Sequence, residues 1–291
     1  MKTILVPTDF SSIATNALAY AVALASVTRA KILLVHVVDL PAIATAYEVS
    51  LPAISLQVLA DAEKELETLA ATVRTNATLE VEGICTTGKL VAQVNHLVQV
   101  HGVDFVVMGS HGQSGLLDRI FGTNALAYMN HAHCPVLLVP PTATFKGINH
   151  IAFAYDLDSE STFVLERLFQ WAAPFQAQVA IFNCLSEHQL NLVPDQPLLQ
   201  YITQHFAQEN FCLVQRKEDH VVQGILDFAQ ENQMDVVAIS THERIFLEQL
   251  LHTSVTKELL FKTNLPLLAI QEKPYSETLK QRSAALLLEV V

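Results

Sequence analysis

The chain has 291 residues, of which 51% are apolar and 16% charged, and it carries a formal net charge of −12. That balance describes a core-forming chain rather than a disordered one, and the acidic excess argues against a nucleic-acid groove, whose phosphates are bound chiefly by clustered Lys and Arg. No window reaches the roughly 18 uncharged apolar residues of a membrane span; the nearest, Ala14 to Val27, contains Thr15, Asn16 and Ser26 and reads as a buried helix.

In chain order, Ile4-Leu5-Val6 is a short strand closed by Pro7. Ser11 or Ser12 then caps a helix whose core face reads Ile13, Ala17, Tyr20, Ala21, Leu24. Lys31 to Val37 is too continuously apolar for a half-exposed sheet, which places it in a parallel sheet covered on both faces. Asp39 to Pro52 reads as a longer connection, Leu56 to Arg74 as a charged amphipathic helix and Leu79 to Ile84 as a third strand. Leu90 to Val100 is a helix, Phe105 to Met108 a strand, Asn124 to Ala132 a helix and Val136 to Val139 a fifth strand. Strict alternation of strand and helix predicts an α/β fold, a doubly wound parallel sheet with helices on both faces. Ligands of such sheets sit beyond the carboxyl ends of the strands, where Asp9 and Gly109 both fall.

The pattern then restarts. At an offset of 147 residues AQVAIFNC repeats AKILLVHV, with Asn183 in place of His36, and Asp156 follows its strand as Asp9 does. At an offset of 131, MDVVAIS repeats VDFVVMG, and the Leu265-Pro266 strand start repeats Cys134-Pro135. Two ungapped blocks at fixed offsets indicate an internal duplication, and the 16-residue difference falls between the second and fourth strands. The expected organisation is a first domain over 1–140, a linker over 141–149, a second domain over 150–272 and a tail over 273–291.

The stretch Met108 to Asn124 carries the chemistry. Gly109, Gly112, Gly122 and Thr123 have the spacing G-x2-G-x9-G-T between a strand and a new helix. Glycines let backbone N–H groups approach an anion, and a helix N-terminus favours negative charge, so this is a recipe for phosphate binding. Arg119 adds the loop's only Lys or Arg. Three other patterns carry less. Gly83 to Lys89 imitates a P-loop, but Leu90 stands where a magnesium-holding hydroxyl is required, so a turn into the next helix is the better reading. His131, His133 and Cys134 close a helix, where histidine suits the dipole, and do not make a convincing metal set. The four cysteines lie far apart, which fits free thiols in a reducing compartment, and the first ten residues do not resemble a signal peptide. The expected location is cytoplasmic.

With its glycine spacing, the early Asp9 and the closing Pro135-Val136 strand, the chain resembles a tandem member of the universal stress protein family, a group with the adenine nucleotide alpha hydrolase-like fold. The resemblance implies two five-stranded sheets in one chain. It implies that Asp9 meets the ribose or adenine of ATP and that the backbone near Val37 reads the adenine edge. Gly109, Gly112, Gly122 and Thr123 would hold ribose and phosphates, with Asn124 beside them, Met108 walling the pocket and Arg119 as a phosphate contact. ATP is thus the expected ligand, with Mg²⁺ as a candidate companion. At the 131 offset the second copy replaces Gly109, Gly112, Gly122 and Thr123 by Ser240, Glu243, Thr253 and Ser254, so it is expected to be silent. No catalytic triad or metalloprotease motif occurs, and the resemblance implies a stress regulator with at most slow ATP hydrolysis that assembles as a homo-oligomer, a dimer of tandem chains. Two alternatives stand beside it: a dimerising interaction module that binds no nucleotide, and an adenine-nucleotide hydrolase or ligase-like enzyme.

Overall fold

The computed structural model describes residues 1–39, 51–110, 123–155, 162–185, 196–218, 220–241 and 255–272. The chain divides into two compact units, Met1–Phe145 and Lys146–Val291.

In the first unit the elements run β1 (Thr3–Pro7), α1 (Ser12–Thr28), β2 (Lys31–Val38), α2 (Leu51–Ala77), β3 (Val81–Thr87), α3 (Leu90–His101), β4 (Phe105–Gly109), α4 (Thr123–His131) and β5 (Val136–Val139). The strands are parallel in the order β3-β2-β1-β4-β5. Chain order therefore reverses between β1 and β4, the place where doubly wound sheets open a crevice. Ile4, Leu5, Val6, Ile32, Leu33, Leu34, Val35, Phe105, Val106, Val107 and all four residues of β5 are buried, as continuous apolar runs require. Helix α1 covers this sheet with Ala14, Ala17, Leu18, Tyr20, Ala21, Leu24 and Ala25, small residues that permit a close approach. Ile13, placed on the core face by its spacing, is only half-buried. The strand expected at Leu79 to Ile84 lies later, over Val81–Thr87. It is an edge strand of intermediate burial, and its Cys85-Thr86-Thr87 end lacks the apolar signature of its neighbours.

Residues after β5 stay on this unit. The Asn16 side chain on α1 donates to the carbonyls of Pro140 (3.0 Å) and Ala143 (3.1 Å), and Tyr20 meets Phe145 edge to face at 5.3 Å.

The second unit repeats the order: β6 (His150–Ala154), α5 (Thr162–Ala172), a 3₁₀ turn (Ala173–Phe175), β7 (Gln178–Leu185), α6 (Gln196–His205), β8 (Phe211–Lys217), α7 (Val221–Glu231), β9 (Val236–Thr241), α8 (Val255–Lys262) and β10 (Leu267–Gln271). Its strands run β8-β7-β6-β9-β10, the same arrangement as in the first unit. The duplication extends to single hydrogen bonds. Asp104 accepts from the N–H groups of Lys2 and Thr3 at 2.5 and 2.9 Å, and Asp235 accepts from Asn149 and His150 at 2.7 and 3.0 Å. His36 Nδ1 donates to the Thr8 carbonyl at 2.7 Å, and Asn183 Nδ2 donates to the Tyr155 carbonyl at 3.1 Å. The two units differ most between their second and third strands, where α2 has 27 residues and α6 has 10. Strand pairing sets Phe211 in the place of Val81, so the offset drops from 147 to 130 across α6 and reaches 131 by α7.

Candidate functional site

A cavity of about 470 Å³ opens at the carboxyl ends of β1, β2 and β4, against the N-termini of α1, α3 and α4. Its volume lies within the roughly 300–1,000 Å³ typical of small-molecule sites. Asp9, Val37, Met108, Gly109 and Asn124 line it. Thr123 begins α4 beside it. Gly112, Arg119 and Gly122 lie outside the described residues. Thr8, Ile13, Asp39, Gly88, Lys89 and Leu90 also line it.

The turn after β1 is built to present Asp9. Phe10 adopts the left-handed region at φ 62°, unusual for a bulky residue. Its N–H donates to Thr8 Oγ1 at 3.1 Å, and its ring lies 4.6 Å from that of His36. The Asp9 carboxylate accepts the Ser11 N–H at 3.0 Å, and Ser11 in turn caps α1 by accepting the Ala14 N–H at 3.2 Å. Asp9 remains solvent-exposed with acceptor capacity left for a ligand hydroxyl. His36, which sequence comparison noted only as the partner of Asn183, pins this turn through its bond to the Thr8 carbonyl.

The β3–α3 junction is a turn and not a P-loop. Gly83 is an interior strand residue, and Gly88 sits at φ +131°, where a side chain would be strained and where a Cβ would meet the Gln93 amide nitrogen at 2.9 Å. Lys89 occupies the N-cap of α3 and makes no side-chain capping bond. Its ammonium pairs instead with the Asp39 carboxylate at 2.9 Å, both side chains being well exposed. The N-terminus of α3 thus faces the cavity without the Ser, Thr, Asp or Asn that ordinarily satisfies its first N–H groups.

Gly109 has a structural explanation that needs no ligand. A Cβ built there would lie 2.5 Å from Ile13 Cγ2 and 3.0 Å from the Ile13 carbonyl oxygen, so the glycine is what lets α1 pack over the end of β4. The neighbouring Ser110 N–H continues the sheet by donating to the Val139 carbonyl at 2.9 Å. On α4, Tyr128 is fully buried, and burial followed by the nearby Cys134 pushes its hydroxyl well above the ordinary tyrosine range.

The stretch His131 to Cys134 serves as a helix stop. Asn95 of α3, itself buried, donates to the His131 carbonyl at 2.7 Å and accepts the His133 N–H at 3.2 Å, while Gln99 meets His133 Nδ1 at 3.1 Å. Among the described residues no group of three His, Cys, Asp or Glu side chains is placed to hold a metal ion. Among the described residues Cys85, Cys134 and Cys212 form no disulfide. Burial raises the Cys85 and Cys212 thiols above their usual value, with Glu63 adding to the effect at Cys85. Among the described residues no helix is long and apolar enough to cross a membrane.

A reversal-point crevice with strand carboxyl ends on one side and three helix N-termini on the other defines the Rossmann-like α/β class. Within that class the chain belongs to the universal stress protein family: the family model matches residues 1–140 and again 147–271. A universal stress protein from Archaeoglobus fulgidus superposes with a TM-score of 0.75 at 15% identity, covering 93% of this chain and 98% of that one. A protein of unknown function from Pseudomonas aeruginosa superposes with a TM-score of 0.61 at 16% identity, covering 98% of both. At these identities the likeness establishes the shared tandem fold. No curated protein matches the sequence significantly.

Proposed function

We propose that this chain is a nucleotide-responsive universal stress protein whose first unit binds ATP and whose second unit is structural. The observation that carries the reading is the convergence of the α1, α3 and α4 N-termini on one cavity. Their dipoles and the first N–H groups of uncapped α3 favour a polyphosphate. Asp9 would accept from ribose hydroxyls, the Val37 backbone would face the base, and Met108 would wall the pocket. Thr123, Asn124 and the loop residues Gly112, Arg119 and Gly122 would hold ribose and phosphates. Mg²⁺, as a companion of ATP, would offset part of the phosphate charge. Asp9 and Asp39, the lining carboxylates, are assigned here to recognition and charge pairing, so the expected role is binding and signalling with at most slow hydrolysis. We assign the protein to the cytoplasm and to a homo-oligomer of tandem chains.

The test is mass spectrometry of nucleotide released from the purified full chain, with calorimetric titration of ATP. Adenine nucleotide should co-purify or bind below millimolar concentration, and absence of both would overturn the reading. Gly122→Val should abolish binding, while Thr253→Val should leave it unchanged. Equal losses in the two variants would move the site away from the first unit.

A further inference from the structure

Five described residues other than glycine have a positive φ: Phe10, Arg29, Thr78, Gln176 and Gln233. Four of them follow helices, Arg29 after α1, Thr78 after α2, Gln176 after the 3₁₀ turn and Gln233 just past α7, where a left-handed residue is the ordinary stop. Phe10 instead stands before a helix, one residue ahead of the Ser11 N-cap of α1, so helix termination does not account for it. Nor does core filling, since the residue is half-buried and lines a separate groove with Thr15 and Leu69. Backbone strain of this kind persists only where the surroundings enforce it, and it gathers at ligand sites. Two groups enforce it here. Thr8 Oγ1 accepts the Phe10 N–H at 3.1 Å, and the His36 ring lies 4.6 Å from the Phe10 ring, tilted by 34°. The residue this turn presents is Asp9, which lines the cavity while its carboxylate accepts the Ser11 N–H at 3.0 Å.

The second unit separates two jobs of His36. Asn183 keeps the bond to the carbonyl that follows the first strand, donating to Tyr155 at 3.1 Å, so that bond belongs to the shared scaffold. Asparagine has no ring to lay against a neighbour, and the position matching Phe10 at the 147 offset is Leu157. Both members of the aromatic pair are thus replaced in the copy whose glycines are also replaced, although Asp156 persists. We infer that Phe10 and His36 are positioning residues: their ring contact locks the Thr8–Phe10 turn and aims the Asp9 carboxylate at the ribose hydroxyls. The pair thereby sets the preference for a ribonucleotide over one whose sugar lacks those hydroxyls. The inference rests on the proposal that the first unit binds ATP with Asp9 at the ribose, and it adds which side chains hold that carboxylate in place.

The experiment is calorimetric titration of the full chain with ATP and with 2′,3′-dideoxy-ATP, which lacks both ribose hydroxyls. Wild type should favour ATP by about 10-fold, the scale of one hydrogen bond to a charged group. Asp9→Ala should bring the two nucleotides within about 2-fold of each other. Phe10→Gly leaves the left-handed turn accessible but unlocked, and the double variant Phe10→Leu with His36→Asn installs the second unit's pair while keeping a donor for the Thr8 carbonyl. Each should weaken ATP about 3- to 5-fold and leave dideoxy-ATP within about 2-fold of wild type, since only the aim of the carboxylate is lost. Added to Asp9→Ala, neither should change the ratio further. An unchanged ATP preference in either variant overturns the inference and leaves the nucleotide reading intact. Equal losses for both nucleotides in the double variant do the same, because the rings would then shape the whole pocket. A wild type without preference, or a preference that survives Asp9→Ala, overturns it as well, since the carboxylate would not be reading the ribose. Failure of wild type to bind either nucleotide overturns both proposals.

Discussion

The two units are one scaffold used twice with different rims. Strand order, the Asp104 and Asp235 bonds and the His36 and Asn183 bonds are shared. The divergence falls at the carboxyl ends of the strands and at the connection after the second one. There the first unit has Gly109, Gly88, Lys89 and a 27-residue α2, while the second has Ser240, His220 and a 10-residue α6. Features that hold the sheet together keep their geometry after duplication, even where the side chain changes from His36 to Asn183, because strand register depends on them. Rim features constrain only what sits in the crevice, so one copy can lose them without losing its fold.

The sharpest way to break this comparison is to exchange rim residues. Gly109→Ser should destabilise the first unit by about 3 kcal/mol, because the new Cβ has nowhere to go but into Ile13. Ser240→Gly should change stability by less than about 1 kcal/mol, the ordinary entropic cost of glycine in a strand. Urea denaturation of the two variants compares them directly, and similar losses would show that close helix packing at this position is common to both units.

A second measurement sharpens the shared half. Asp104→Ala and Asp235→Ala should each cost about 2 kcal/mol, since each leaves two backbone N–H groups at a strand start without their carboxylate. Unequal losses would mean that the two bonds, alike in geometry, are unlike in weight. The smallest expected effect concerns an ion pair. Lys31 holds the Glu82 carboxylate below its usual range, chiefly through a hydrogen bond of 2.6 Å, and in turn the Lys31 ammonium is raised. Since the folded-state value of Glu82 is depressed, its contribution is present above the unfolded value of 4.5 and is lost as pH falls through the folded one. Glu82→Gln should therefore cost no more than about 0.5 kcal/mol at pH 7, the pair being partly exposed, and the difference from wild type should shrink as the pH falls through the depressed folded value of Glu82.

Most of the scaffold was legible in the sequence because its strands are buried on both faces and announce themselves as apolar runs. Val136 to Val139 falls on β5 residue for residue, and Phe105 to Met108 falls one short of β4. The edge strand β3 was read about two residues early, since Leu79 suggests a strand start while the true carboxyl end is threonine-rich. The glycine spacing pointed to the crevice where chain order reverses between β1 and β4, but it said nothing about its other walls. Asp39 and Thr8 are unremarkable in one dimension and become lining residues only once β1 and β2 lie side by side. The reason for Gly109 was equally out of reach, because Ile13 is 96 positions away in the chain and meets it only through the fold.

The carboxylate of Asp104 has a consequence for how the first unit is made. It grips Lys2 and Thr3 across 102 and 101 positions, and Asp235 grips Asn149 and His150 across 86 and 85. On a ribosome the opening strand of each unit therefore emerges long before the group that secures its first amides. Because its lateral neighbour β4 is also late, each unit must reach nearly its full length before its centre can close, which favours all-or-none assembly over strand-by-strand growth.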